Sequence, residues 1–229
     1  MTLDPLQQLY PFLHGKTQPA EAMQAALTES LAQKVVHHAE VMSAFFARHG
    51  DAVIAAAHTI ADVYRANGRL YTMGNGGSSC DASHLAVEFQ HPVTAGRPAL
   101  TAIDLSADRT MLTAVANDVG FAHVFSRQVI ALGRQGDALV GLSTSGNSQN
   151  LLNAFAKARE MGLKTIGICG MNGGDMARAG LDHCLVVDND SIHRIQECHV
   201  TIYHILWDLV HTLLADDRGG LGKPPGTGA

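Results

Sequence analysis

Leu70-Tyr71-Thr72-Met73-Gly74-Asn75-Gly76-Gly77-Ser78-Ser79 is the stretch that decides the fold. A short strand-forming run passes directly into a loop of glycine and small polar residues, and an amphipathic stretch follows. The same punctuation recurs along the chain. Short apolar runs stand at 100–105, 138–142, 165–169 and 184–187, with amphipathic stretches between them. Strands that alternate with helices make a parallel sheet covered on both faces, so the fold class is α/β. Upstream, Leu27, Leu31, Val35 and Val36 fall at helical spacing within 20–48. Gly50 is read as a break, Asp51 as the cap of a second helix, and Asn67-Gly68 as its end. Downstream, a long and largely apolar helix is predicted over 192–214, carrying the single tryptophan, Trp207.

The 229 residues suit one α/β domain. We divide them into an ordered N-terminal extension over 1–19, a domain with N-terminal helices over 20–215, and a disordered tail over 216–229. The tail has five Gly and two Pro in its 14 residues. Charged residues make up 16%, below the usual figure of about 25%. A surface so poor in charge is expected to be covered by further copies of the chain. The net charge of −5 argues against a nucleic-acid binder that works through phosphate contacts. No apolar run reaches 18 residues, so no transmembrane helix is expected. The N-terminus lacks a basic region followed by an apolar stretch, so no signal peptide is expected. Four cysteines without a C-x-x-C pair are read as reduced thiols, which points to the cytoplasm.

Two loops have the composition of anion cradles. In an open parallel sheet, ligands bind beyond the carboxyl ends of the strands. Asn75, Gly76, Gly77 and Ser78 form the first such loop. Its glycines let backbone N–H groups approach an anion, and the new helix offers its positive end. The second loop, Ser143-Thr144-Ser145-Gly146-Asn147-Ser148, puts four hydroxyls in six residues at a helix N-terminus. Hydroxyls and amides there can hold a phosphomonoester without a basic residue. The plainer alternative is that Ser148 or Asn147 only caps the helix. On the helix after the first loop, His84 and Glu88 stand at i, i+4 and share one face. The last helix carries Gln196, Glu197, His199 and His204. His199, at i+3 from Gln196, is the geometrically easier partner, and His204, eight positions away, could share an ion only over the intervening turn, so spacing alone does not choose between them.

In this order the motifs closely resemble the phosphoheptose isomerases of the sugar isomerase (SIS) domain superfamily. They are the glycine loop with His84-x-x-x-Glu88, Ala116-Asn117-Asp118-x-Gly120-Phe121, the serine loop, and Arg194-Ile195-Gln196-Glu197-x-His199. The resemblance covers roughly residues 25–215. It implies a flavodoxin-like, five-stranded parallel sheet with an N-terminal helical arm, and a homotetramer with sites at subunit contacts. It implies that Ser143, Thr144, Ser145 and Ser148 bind the sugar phosphate, with Asn75, Gly76, Gly77, Ser78, Asn117, Asp118 and Gln196 about the substrate. Metal-dependent members hold zinc through residues matching His84, Glu88, Gln196 and His204, which selects His204 over His199. Two positions depart from the pattern. His193 stands where many members have aspartate, and Pro92 where relatives often have arginine.

The expected activity is ketose–aldose isomerisation of a sugar phosphate through an enediol, with sedoheptulose 7-phosphate as substrate. A carboxylate and an imidazole, Glu88 and His204, serve as base and acid. A divalent ion such as zinc, one per subunit, would act as a Lewis acid. The alternative is a non-catalytic binding protein like the initiator-associating member of the superfamily, which lacks the full ligand set.

Overall fold

A computed structural model describes residues 20–216. The extension expected over 1–19 and the tail beyond Asp216 lie outside the described residues. Contacts divide the chain into two units, residues 1–39 and 40–229. In the first, the described residues 20–39 are helical. There Leu27, Leu31, Val35 and Val36 are exposed by 57%, 67%, 62% and 55%.

The second unit holds the sheet. Its strands are β1 (Leu70–Gly74), β2 (Ala102–Asp104), β3 (Ala138–Ser143), β4 (Lys164–Gly170) and β5 (His183–Val187). All pairs are parallel, in the order β2-β1-β3-β4-β5. This is the flavodoxin-like order expected from the sequence. The helices are α1 (Ala20–Arg65), α2 (Gly77–Gln90), α3 (Arg109–Asp118), α4 (Val124–Leu132), α5 (Gln149–Glu160) and α6 (Ile192–Asp216).

Strand periodicity sorts the core into two layers. In β3, Ala138, Val140 and Leu142 join one cluster, with the buried residues of α2, α6 and the C-terminal half of α1. Leu139 points the other way, with Tyr71, Met73 and Cys169, against α3, α4 and α5. Side chains two apart share a face, so both faces of a fully buried strand need helices. The result is a three-layer α/β/α sandwich.

Three expectations are corrected here. Gly50 does not break the first helix, Asp51 is interior rather than a cap, and α1 runs unbroken through both. A glycine costs a helix about 1 kcal/mol relative to alanine. The next turns bury Val53, Ala56, Ala57, Ile60 and Ala61, which outweighs that cost. The second strand is shorter than 100–105, because the Leu100 N–H is given to the Phe89 carbonyl at 2.8 Å. The last helix continues two residues past Leu214, so Asp216 is helical rather than part of a tail. The end of α1 is as read. Asn67 takes a left-handed φ of 58°, and the Gly68 N–H bonds the Val63 carbonyl at 2.8 Å.

Strand order reverses between β1 and β3. The loops after these two strands therefore diverge to opposite faces and leave a crevice between them. They are the glycine loop and the serine loop.

Candidate functional site

The crevice is a pocket of about 120 Å³ lined by Asn75, Ser78, Leu142, Ser143, Thr144, Ser145 and Ser148. One water occupies roughly 30 Å³ of liquid, so the space suits a compact polar group. Ser148 stands at the N-cap position of α5, yet its hydroxyl makes no cap bond. That hydroxyl lies 3.1 Å from Ser143 Oγ instead. Asn147 does not cap either, because its Oδ1 accepts from the Asp175 N–H at 2.9 Å. The capping alternative therefore fails for both residues, and the pocket keeps hydroxyls in addition to the helix dipole.

Two features hold the loops in register. Asn75 and Asn150 exchange a pair of amide hydrogen bonds, both at 2.9 Å. Sequence reading missed Asn150. It is only 3% exposed in the first turn of α5, a burial that its polar neighbours Gln149 and Asn153 gave no sign of in the sequence. Gly146 (φ 67°) packs so closely that a Cβ would stand 2.1 Å from the Gly173 carbonyl oxygen. Only glycine fits there.

Along α2, beyond Ser78, the structure brings together His84, Glu88 and, from α6, His204. One ligand atom from each lies within 4.8 Å of the others. His84 Nε2 stands 3.2 Å from Glu88 Oε1, at the i, i+4 spacing. The His84 and His204 rings meet edge to face with centroids 5.1 Å apart. Burial pushes the His204 pKa down, and His84 beside it adds to this while Glu88 opposes it. Glu88 is the most enclosed of the three, and Trp207 Nε1 donates to its backbone carbonyl at 2.8 Å. That bond ties the end of α2 to α6. His84 Nδ1 lies 2.7 Å from the buried Tyr203 hydroxyl.

The other candidate residues are placed differently. Gln196 donates to Asp81 Oδ2 at 3.3 Å, and its amide covers Gly77 so closely that a Cβ there would meet Nε2 at 2.3 Å. Burial raises the pKa of Asp81, and Gln196 and His84 oppose the rise. Asn117 and Asp118 are exposed at the end of α3, bonded to one another, and neither lines the serine pocket. Gly76 is exposed and opens α2 with φ 55°. His199 is fully buried, and its ring nitrogens have no hydrogen-bond partner among the described residues. His193 is exposed at the start of α6.

The donor set of one carboxylate and two imidazoles suits a first-row divalent ion. Tetrahedral ligands about 2.1 Å from one ion stand about 3.5 Å apart, so only modest side-chain movement is needed.

The SIS domain family matches residues 35–170. The phosphoheptose isomerase of Pelodictyon phaeoclathratiforme is 48% identical over 171 residues, covering 73% of this chain and 81% of that one. That of Desulfovibrio desulfuricans is 46% identical over 184 residues, covering 80% and 87%. The solved phosphoheptose isomerase of Neisseria gonorrhoeae superposes with a TM-score of 0.76 at 36% identity, over 81% of this chain and 99% of that one. Identity at this level spans both loops and the fold that carries them. The chain therefore belongs to the phosphoheptose isomerase family of SIS-domain proteins.

Proposed function

We propose that the chain interconverts sedoheptulose 7-phosphate and D-glycero-D-manno-heptose 7-phosphate, a ketose–aldose isomerisation through an enediol. The observation that carries this reading is the placement of an anion pocket at the start of α2 and of Glu88 farther along the same helix, where it meets His204 of α6. Ser78 lines the pocket, and His84 follows it by six residues, or about 9 Å of rise. Glu88 is farther along, but helical side chains lean back toward the N-terminus and shorten its reach. An extended carbon chain advances about 1.2 Å per bond, as the reach of a three-bond residue implies. From the phosphate of a seven-carbon sugar to its carbonyl end the span is thus comparable, whereas a three-carbon sugar falls short.

With the phosphate among Ser143, Thr144, Ser145 and Ser148, the carbonyl end lies toward Glu88 and His204. One of them takes the proton from C1, and the other moves protons between the two neighbouring oxygens until C2 is protonated. The lowered pKa of His204 keeps a neutral imidazole available near neutral pH for that exchange. Glycine-loop amides and Ser78 position the chain of hydroxyls, with Asn117, Asp118 and Gln196 assigned to the sugar by the motif they share with the family. His84, Glu88 and His204, with Gln196 as a fourth ligand, would hold one zinc or similar ion per subunit. Such an ion stabilises negative charge developing on the sugar oxygens.

We further read the protein as a cytoplasmic homotetramer. The exposed apolar residues of 20–39 support association, since a patch of this kind is costly to leave in water. Light scattering at micromolar concentration is expected to give four times 24.3 kDa. A mass of one chain would remove the tetramer. The non-catalytic reading is not favoured, because the relatives described above are named as isomerases over most of this chain. The direct test incubates the pure protein with ketose phosphates of three to seven carbons and follows aldose formation with and without chelator. Conversion of the heptulose phosphate is expected, and no conversion of any member would overturn the proposal.

A further inference from the structure

Tyr203 makes a contact that the isomerisation does not use. Its side chain is 1% exposed, and its hydroxyl lies 2.7 Å from His84 Nδ1. The two rings stand nearly perpendicular, with centroids 5.5 Å apart. The next residue on the same helix is His204, whose ring centroid lies 5.1 Å from that of His84 and 4.8 Å from that of Tyr203. Neighbouring positions on α6 thus both pack against one imidazole.

Counting protons on that imidazole leads to a definite conclusion. A neutral ring carries a single N–H. Glu88 Oε1, an acceptor only, faces Nε2 at 3.2 Å, so without a cation the proton belongs on Nε2. Nδ1 is then bare and accepts from the Tyr203 O–H. A cation in the cluster needs the Nε2 lone pair instead, and the proton must move to Nδ1. There it needs an acceptor. A phenol hydroxyl can answer both demands by turning its O–H, because oxygen is donor and acceptor at once. The carboxylates and carbonyls that usually back a ligating histidine can only accept.

We propose that Tyr203 is a positioning residue that keeps His84 Nε2 turned into the Glu88–His204 cluster and partners Nδ1 in both tautomers of the ring. Loading a divalent cation then leaves neither nitrogen of the His84 ring unpaired. The inference rests on the reading of the cluster as a cation site.

The test compares the full-length protein with Tyr203→Phe, which keeps the ring and its packing. Zinc affinity is measured by competition with a chromophoric chelator. Two-bond proton–nitrogen NMR of ¹⁵N-histidine protein reads which nitrogen of His84 carries the proton, with and without zinc. The expected result is zinc binding about 10–100-fold weaker in Tyr203→Phe. In the parent, the His84 proton is expected on Nε2 without zinc and on Nδ1 with it. Metal-free Tyr203→Phe should show a mixture of tautomers. Equal zinc affinities in the two proteins, or a metal-free parent protonated on Nδ1, would overturn the proposal. In a His84→Ala background the tyrosine substitution should cost no further affinity, and an undiminished loss there would make Tyr203 merely structural. If the parent takes up no zinc, the cation reading falls by itself. Identical metal-free tautomers in parent and Tyr203→Phe would then overturn the role of Tyr203 as well.

Discussion

Glu88 is a carboxylate with its side chain only 19% exposed and with His84 Nε2 as its near neighbour at 3.2 Å. Replacing it by glutamine keeps size and hydrogen bonding but removes the base. Glu88→Gln is expected to fold and to bind sugar phosphate, while turnover falls by about 10²–10⁴-fold. Exchange of solvent deuterium into the carbon beside the carbonyl should vanish in parallel, since that exchange reports the enediol step. Normal isomerisation by this variant would eliminate the mechanism. In the proposed mode of binding, Ser143 and Ser148 each offer a hydroxyl to the phosphate at the other end of the substrate, worth about 1.5–3 kcal/mol apiece. The double alanine variant should raise KM at least tenfold with little change in folding. An unchanged KM would take the serine loop out of the phosphate site.

At the scale of elements, α1 shows how a local rule yields to context. Gly50 lies in the helix interior, and among the described residues no atom comes within 4 Å of the place a Cβ would occupy. Gly50→Ala therefore gains helix propensity without a clash, about 1 kcal/mol. Melting should rise by about 2–4 °C for a chain of this size. A fall in melting temperature would mean that this turn meets something that needs the bare backbone. The two βα loops follow the opposite logic. Their glycines lie where neighbouring groups approach, the Gly173 carbonyl at Gly146 and the Gln196 amide at Gly77. Substitution at either should disturb the crevice rather than the sheet.

For the whole molecule, buried histidines tie stability to pH. His199 is sealed in the core, and burial pushes its pKa down to about 4. Unfolded, it titrates near 6.5. Between these values the unfolded chain binds the proton and the folded one does not, so stability falls as pH drops from 6.5 toward 4. The loss from this residue should reach about 3 kcal/mol at the acid end. Urea midpoints of the parent and His199→Gln, taken from pH 7 to pH 4, check this. The two curves should converge as pH falls by an amount of that order, and parallel curves would contradict it.

The sequence by itself determined the α/β class, five strand positions, the glycine and serine loops that border the crevice, and the His84–Glu88 face. These are local statements. Side-chain period, glycine punctuation and i, i+4 spacing are fixed by backbone geometry within a few residues. Family likeness then supplied His204, which spacing could not separate from His199. Tertiary structure decided whatever depends on residues far apart in the chain. It left Gly50 helical because the following turns of α1 are buried, an outcome no local propensity contains. It put His199 in the core and His204 in the cluster, because the two face different sides of α6. It joined Asn75 to Asn150 and His84 to Tyr203, pairs separated by 75 and 119 positions. The strand order decided which loops would meet. Glycine and serine loops face each other only because β1 and β3 are neighbours while their helices depart to opposite faces. A hydrogen bond acts over about 3 Å in space whatever the separation in sequence, and only the folded chain sets that distance.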